Sequence, residues 1–312
     1  MCKRSPGMAI LIAGLVLAGL FSACRSPAGS PTSTAGPAAT RTTTTGPASQ
    51  PGTIPAVGST PTTVAASPAP TTGVQEVDVS VYFIRGDHLA AARRAIPRTP
   101  QIGRAALEAL LAGPTAEEQS IGFTSAIPPG TRLHGLTIEN GIATVDLSGQ
   151  FAEEGGSLSM VARVAQVVFT LTQFPSVQGV QFQLDGQPVE ALGGEGLMLD
   201  EPVGRDSFEE LLPAIFVESP APFDVISGPF HLQGTANTFE ATFMVRLTDA
   251  SGAVLLEQPV MATSGSGTRG SFDVTLDLAV PRAGPGTLTV YEASARDGSP
   301  VNVVEIPLKL EQ

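Results

Sequence analysis

The sequence predicts two folded domains of different class, an α+β domain followed by an all-β sandwich, behind a disordered N-terminal stretch. Three observations carry this. Between Leu133 and Leu184, two apolar runs flank Asn140-Gly141, a helix-period segment follows, and an alternating apolar run closes the unit. From Ile215 to Leu310, seven short apolar runs alternate with turn text, the spacing of a β-sandwich. From Arg25 to Val74, 43 of 50 residues are Ser, Thr, Pro, Gly or Ala, which leaves too little apolar bulk to offset chain entropy. A length of 312 residues accommodates both domains.

The first domain opens with VDVSVYFI, where Val77, Val79, Val81 and Phe83 alternate with Asp78, Ser80 and Tyr82, the pattern of a half-buried strand. HLAAARRAI (88–96) has helical propensity, but Pro97 and Pro100 cut it short. RAALEALLA (104–112) is a helix with Leu107, Leu110 and Leu111 on one face and Gly113-Pro114 as its stop. Asn140-Gly141 is a two-residue hairpin signal between the runs 133–138 and 142–147. After Gly155-Gly156, Ser157 or Ser159 is placed to cap a helix whose Met160, Val161, Val164, Val167, Val168, Leu171 and Phe174 form one apolar face. Pro175 ends it, and Val180, Phe182 and Leu184 alternate as a strand running into Asp185-Gly186.

Four segments in order, ALLAGPTAEE (109–118), AIPPGTRL (126–133), GIATVDLSGQF (141–151) and VVFTLTQFPSVQGVQFQLDG (167–186), resemble the GerMN domain of bacterial sporulation and spore-germination lipoproteins. The resemblance spans residues 77–199. It implies a small sheet with packed helices, and it makes 88–96 a second strand in place of a helix. We set the first domain at 76–200 and an acidic connector at 201–213.

The second domain, 214–312, reads as strands at 215–218, 230–236, 239–248, 254–263, 272–278, 287–295 and 301–310, separated by turn text such as Asp249 to Gly252 and Arg282 to Gly286. SPAPFDVISGPFHLQGTANTFEATFMVRLTDASGAVL and TVYEASARDGSP resemble the immunoglobulin-like domain of bacterial spore-germination proteins, which commonly follows a GerMN domain. The domain has no Cys or Trp, so Phe230, Phe239, Phe243 and Phe272 are expected to supply its core bulk.

Residues 1–23 read as an export signal, with Lys3 and Arg4 before an apolar run from Met8 to Phe21 that is short for a membrane span. Phe21-Ser22-Ala23-Cys24 resembles the lipobox of bacterial lipoproteins, with Phe21 where Leu is usual, which implies diacylglyceryl attachment at Cys24. Cysteine usage agrees. Cys2 leaves with the signal, and a lone thiol in an oxidising compartment otherwise lacks a reason. Residues 24–75 then form a disordered stalk, spanning about 40 Å as a coil, which holds the domains off the extracytoplasmic face of the membrane.

Charge excludes one class of partner. No acidic residue precedes Glu76, whereas Lys3, Arg4, Arg25 and Arg41 do, so the 17 Lys and Arg reduce to 13 against all 29 Asp and Glu in the folded part, a net charge near −16. Such a field repels a phosphate backbone, and no nucleic-acid partner is expected. Catalytic text is also absent. Gly265-Ser266-Gly267-Thr268-Arg269-Gly270 matches G-x-G-x-x-G, but between two strands it is a hairpin loop. Lys309 is the only lysine after the signal, so there is no Walker loop, and His88, His134 and His231 stand singly. Asp146, inside ATVDLS, reads as a carboxylate accepting hydrogen bonds from the turn that follows it.

No enzyme activity, cofactor or metal is therefore expected. The leading expectation is a lipid-anchored binding or scaffold module of the cell envelope, with an envelope protein or peptidoglycan as partner. A glycan hydrolase using exposed carboxylates, and an extracytoplasmic regulator of a sensor kinase or transporter, are the alternatives. Arg85, Arg93, Arg94, Arg98 and Arg104 form the one basic concentration of the folded part. Arg93, Arg94 and Arg98 are the expected contact for a partner or for head-to-tail self-association with acidic text such as Glu153-Glu154 or Glu195 to Glu201.

Overall fold

The computed structural model describes residues 75–153, 155–193 and 197–312. The export signal, Cys24 and the low-complexity stretch lie outside the described residues, as do Glu154 and Glu195.

The first two strands, β1 (Glu76–Arg85) and β2 (His88–Pro97), pair antiparallel over their full length, from Glu76 opposite Pro97 to Arg85 opposite His88. Residues 88–97 are thus a strand, as the family resemblance implies and against local propensity. The complete ladder and the burial of Leu89, Ala91, Ala92 and Ile96 outweigh the helical preference of an Ala-Arg run. Contrary to the alternating pattern, β1 is not half-buried, because Val79 through Phe83 are covered on both faces.

Helix α1 (Ile102–Leu111) buries Ala106, Leu107 and Leu110. The short α2 (Ala116–Ser120) starts on a capping box, in which the Glu118 N–H donates to Thr115 Oγ1 and the Thr115 N–H to Glu118 Oε2. Strand β3 (Phe123–Thr124) pairs with β1, giving the order β2-β1-β3. The hairpin of β4 (Leu133–Glu139) and β5 (Ile142–Leu147) turns at Asn140 and Gly141, both at positive φ (51° and 84°), as a type I′ turn requires.

Helix α3 (Ser157–Leu171) crosses from β5 to β6 (Gly179–Leu184), which lies parallel to β5. Every residue from Ala162 through Leu171 is buried, so beyond its exposed first turn α3 is a core helix with no solvated face. It packs against β1 and against β6, which belong to different sheets. Its N-cap is Gly156 without a side-chain cap, and Ser159 Oγ instead accepts from the buried Arg163. Strand β7 (Gln187–Pro188) completes the sheet β4-β5-β6-β7, and β8 (Ala191–Leu192) pairs with β9 (Leu197–Met198).

The second domain is a two-sheet sandwich. Strands β10 (Ile215–Ser219), β12 (Phe230–Ala236) and β15 (Gly270–Leu276) form one sheet. The other has the order β11-β17-β16-β13-β14, from β11 (Val225–Ile226), β13 (Thr242–Asp249), β14 (Val254–Met261), β16 (Gly284–Ala293) and β17 (Pro300–Leu310). Phe243 and Phe272 meet between the sheets with ring centroids 4.8 Å apart, and Phe230 is buried. Phe239 is 62% exposed, contrary to expectation, because it sits on a single 3₁₀ turn ahead of β13. The glycine-rich text lies between β14 and β15. A Cβ on Gly270 would stand 2.2 Å from the Ser264 N, so close packing of the loop on itself accounts for that glycine.

Candidate binding site at the seam of the two domains

The two domains are joined by the connector and by a seam that buries one face of β1. The connector is pinned to the first domain by the pairing of Val203 with Val180 and by the buried Phe208 and Leu211. It is pinned to the second by Arg269, whose Nε donates to Glu209 Oε1 (3.0 Å) and whose Nη2 donates to the Pro213 carbonyl (3.0 Å). Phe216 of β10 packs within the first domain's core, 5.8 Å from Phe169 and 6.2 Å from Tyr82 between ring centroids. This ring covers the Tyr82 side of β1.

A polar knot sits beside that aromatic cluster. Tyr82 Oη donates to Glu218 Oε1, and Arg205 donates from Nη1 to the same oxygen (2.8 Å) and from Nη2 to Tyr82 Oη (3.2 Å). Arg205 also donates from Nε to Thr172 Oγ1 (2.8 Å), and its guanidinium stacks 4.6 Å over Phe169. Burial raises the Tyr82 pKa, the charge of Glu218 raises it further, and Arg205 opposes this in smaller measure. Burial opposes the charge on Arg205, but Tyr82 and Glu218 together hold its pKa above the ordinary arginine value. Tyr82 is therefore a hydrogen-bond donor across the working pH range and not a base.

Two hollows flank the knot. A polar cleft of about 470 Å³ is lined by Ser80, Arg93, Gln173, Ser219 and Gln233 together with the knot itself. A larger cavity of about 570 Å³ lies between the start of β2, the start of β10 and the middle of β17, with Arg85 and Phe123 at its side. Among the described residues no group of three or more His, Cys, Asp or Glu is placed to hold a metal ion. What the seam offers is hydrogen-bond donors, acceptors and apolar wall.

The arginines singled out in the sequence have separate fates. Arg94 forms a bidentate pair with Glu118, 2.5 and 2.7 Å. Arg93 reaches Asp224 of the second domain (3.4 Å). Arg85 donates to the carbonyls of Ile121 (3.0 Å) and Glu305 (2.6 Å), and Arg104 pairs with Glu108 one helical turn away. Arg98 is exposed. Internal carboxylates thus take Arg93, Arg94 and Arg104, carbonyls take Arg85, and Arg98 alone of the five stands exposed. Asp146 does accept from a turn, but from Gly186 in the hairpin that follows the neighbouring strand (2.9 Å) and not from its own. Arg205, Glu218 and Tyr82 carried little sequence signal. Arg205 is the single basic residue of the acidic connector, which was the one available hint.

Comparison with family models matches residues 80–190 to Germane, described as sporulation and spore germination. Residues 214–299 match Gmad2, the immunoglobulin-like domain of bacterial spore germination. The chain carries a Germane domain followed by a Gmad2 domain. No curated protein matched the chain. Among solved structures, the first GerMN domain of the sporulation protein GerM from Bacillus subtilis is 25% identical, with a TM-score of 0.37, over 42% of this chain and 98% of that one. A candidate lipoprotein from Clostridium perfringens is 23% identical, with a TM-score of 0.33, over 44% and 93%. The tandem GerMN domains of the same Bacillus subtilis protein are 19% identical, with a TM-score of 0.39, over 64% and 61%. Among the described residues of this Germane–Gmad2 chain, no helix is long and apolar enough to cross a membrane.

Proposed function

We propose that this Germane–Gmad2 chain is an extracytoplasmic lipoprotein, held to the membrane by a lipid on Cys24, that works in sporulation or spore germination as a non-catalytic binding scaffold. The observation that carries the scaffold reading is the seam. Two domains of sporulation and germination type are fastened through Phe216, Arg205 and Arg93 into one surface rich in hydrogen-bonding groups. Its partner is an envelope protein or peptidoglycan. A second copy of the chain fits less well, because Arg93 and Arg94 already hold internal carboxylates and only Arg98 of the three stands exposed.

The anchor is tested directly. Cys24→Ser is expected to leave an uncleaved precursor that no longer incorporates labelled fatty acid. A diacylglyceryl group makes attachment persistent, since each buried CH₂ contributes about 0.8 kcal/mol. Undiminished labelling of the serine variant would refute the anchor. Incubation of the chain with intact peptidoglycan separates the scaffold from a hydrolase: co-sedimentation supports binding, and released muropeptides would overturn it.

A further inference from the structure

Away from the seam, one sheet edge of the first domain stands open beside an apolar groove. Strand β5 gives the main-chain groups of its odd-numbered residues to β6, since the Gly141 carbonyl accepts the Gln178 N–H (2.7 Å) and the Leu147 carbonyl accepts the Asp185 N–H (2.9 Å). Its even-numbered Ile142 and Thr144 therefore face Glu139 and Thr137 of β4. By the two-residue period the N–H and C=O groups of Leu136 and Ile138 point away from β5, and no described strand lies beyond β4. The free edge of β14 differs. There the Ala262 N–H donates to the Ala241 carbonyl, which turns Pro259 outward with no N–H to offer.

Leu136 and Ile138 send their side chains toward α1, where a Cβ added to Gly103 would stand 3.3 Å from Leu136 Cδ2 and 3.8 Å from Ile138 Cδ1. They form one wall of a groove of about 650 Å³, and Ile102 and Arg104 of α1 with Phe174 and Pro175 after α3 form the others. Ile138 is 41% exposed, an aliphatic residue where an open edge is ordinarily guarded by charge or proline. A strand laid against β4 would place alternate side chains in this groove, next to Leu136 and Ile138. Charge decides what kind of chain fits. No carboxylate lines the groove, although the folded part is near −16. Arg104 in its lining makes only long contacts, 3.4 Å to the exposed Glu108 and 3.5 Å to the His134 carbonyl. An occupant bearing a carboxylate is therefore favoured. The chain's own N-terminal stretch has no acidic residue before Glu76, and a second copy would bring the same net negative charge to the contact.

We propose that the open edge of β4 binds an extended segment of a partner protein, which runs antiparallel to residues 136–138, sets two aliphatic side chains at alternate positions into the groove, and brings a carboxylate two residues later to Arg104. This rests on the scaffold reading and gives it a protein-binding site apart from the seam. The test is fluorescence anisotropy of the full chain with a labelled hexapeptide, Ser-Val-Thr-Val-Ser-Glu. Saturable binding is expected, and it should weaken about tenfold when both valines are N-methylated, because their N–H groups face the edge. Methylation of the threonine between them removes an N–H that faces away and should leave the affinity nearly unchanged. Ile138→Lys is expected to weaken binding about tenfold with the circular dichroism spectrum retained. Arg104→Gln should abolish an about threefold preference for this peptide over its glutamine-ended counterpart. No saturable binding by the unaltered chain, equal effects of the two methylations, or affinity unchanged in both variants would overturn the proposal. A dimer of the unaltered chain that Ile138→Lys dissolves would also overturn it, by giving the edge to a second copy. Wall sedimentation and fatty-acid labelling do not depend on Ile138, so their failure with peptide binding intact would remove the envelope reading and leave the site.

Discussion

Tyr82 shows how one residue acquires its properties from parts of the chain far away in sequence. Its ring is 1% exposed between Phe169 and Phe216, and its hydroxyl donates to Glu218, 136 positions further on. Burial first, and then the Glu218 charge, penalise the tyrosinate, so the folded pKa is above the unfolded value of about 10. Below pH 10 both states hold the proton. Above it the unfolded chain releases its proton first, and stability is lost at up to about 1.4 kcal/mol per pH unit from this group. Thermal unfolding at pH 9, 10 and 11 is therefore expected to show a steep alkaline loss that becomes shallower in Tyr82→Phe. Tyr291, whose pKa is also raised, is present in both proteins and cancels in the comparison. Parallel pH slopes for the two would remove Tyr82 from the account.

At the scale of elements, α3 explains why an open edge of β1 survives inside the first domain. Between Ser80 and Tyr82 no strand lies beside that edge, and two glutamines of the helical segment take its place. Gln173 Oε1 accepts the Ser80 N–H (2.8 Å) and Nε2 donates to the Ser80 carbonyl (2.6 Å), while Gln166 Nε2 donates to the Tyr82 carbonyl (2.9 Å). Gln166 Oε1 also accepts the Ala126 N–H (2.8 Å). Seven residues apart, the two amides stand on one face two turns from each other. Gln166→Leu keeps the bulk but leaves the buried Tyr82 carbonyl and the part-buried Ala126 N–H unpaired, and a loss of about 2–4 kcal/mol in urea unfolding is expected. Gln173→Leu, at a half-buried position, should cost less. The helix and strands themselves were legible in the sequence, because the three-to-four-residue period of Met160 to Leu171 and the Asn140-Gly141 turn are local signals. The strand at 88–97 was not legible from propensity, since only its ladder with β1 and the cover on Ala91 decide it. The two glutamines lie off the apolar face that the sequence shows, and nothing local says that they complete a sheet edge.

Across the whole molecule, scarce positive charge is concentrated where the two domains meet. Arg85, Arg93, Arg205 and Arg269 each cross the seam or fasten the connector to it, in a folded part whose net charge is near −16. The seam was the least legible feature, because the contacts that cross it join distant residues: Tyr82 and Glu218 are 136 positions apart, and Arg93 and Asp224 are 131. Phe216 gives the seam its apolar centre: it belongs by chain order to the Gmad2 domain and by contact to the Germane core. If that shared core makes the domains cooperative, differential scanning calorimetry of the full chain should show one transition. Phe216→Ala removes a ring packed against Tyr82 and Phe169, costs about 3–5 kcal/mol, and is expected to split the transition into two. Phe243→Ala supplies the contrast, because Phe243 meets Phe272 inside the sandwich, away from the seam. It should cost a similar amount while keeping a single transition. Two transitions in the unaltered chain, or a single one in Phe216→Ala, would show that the seam does not couple the domains.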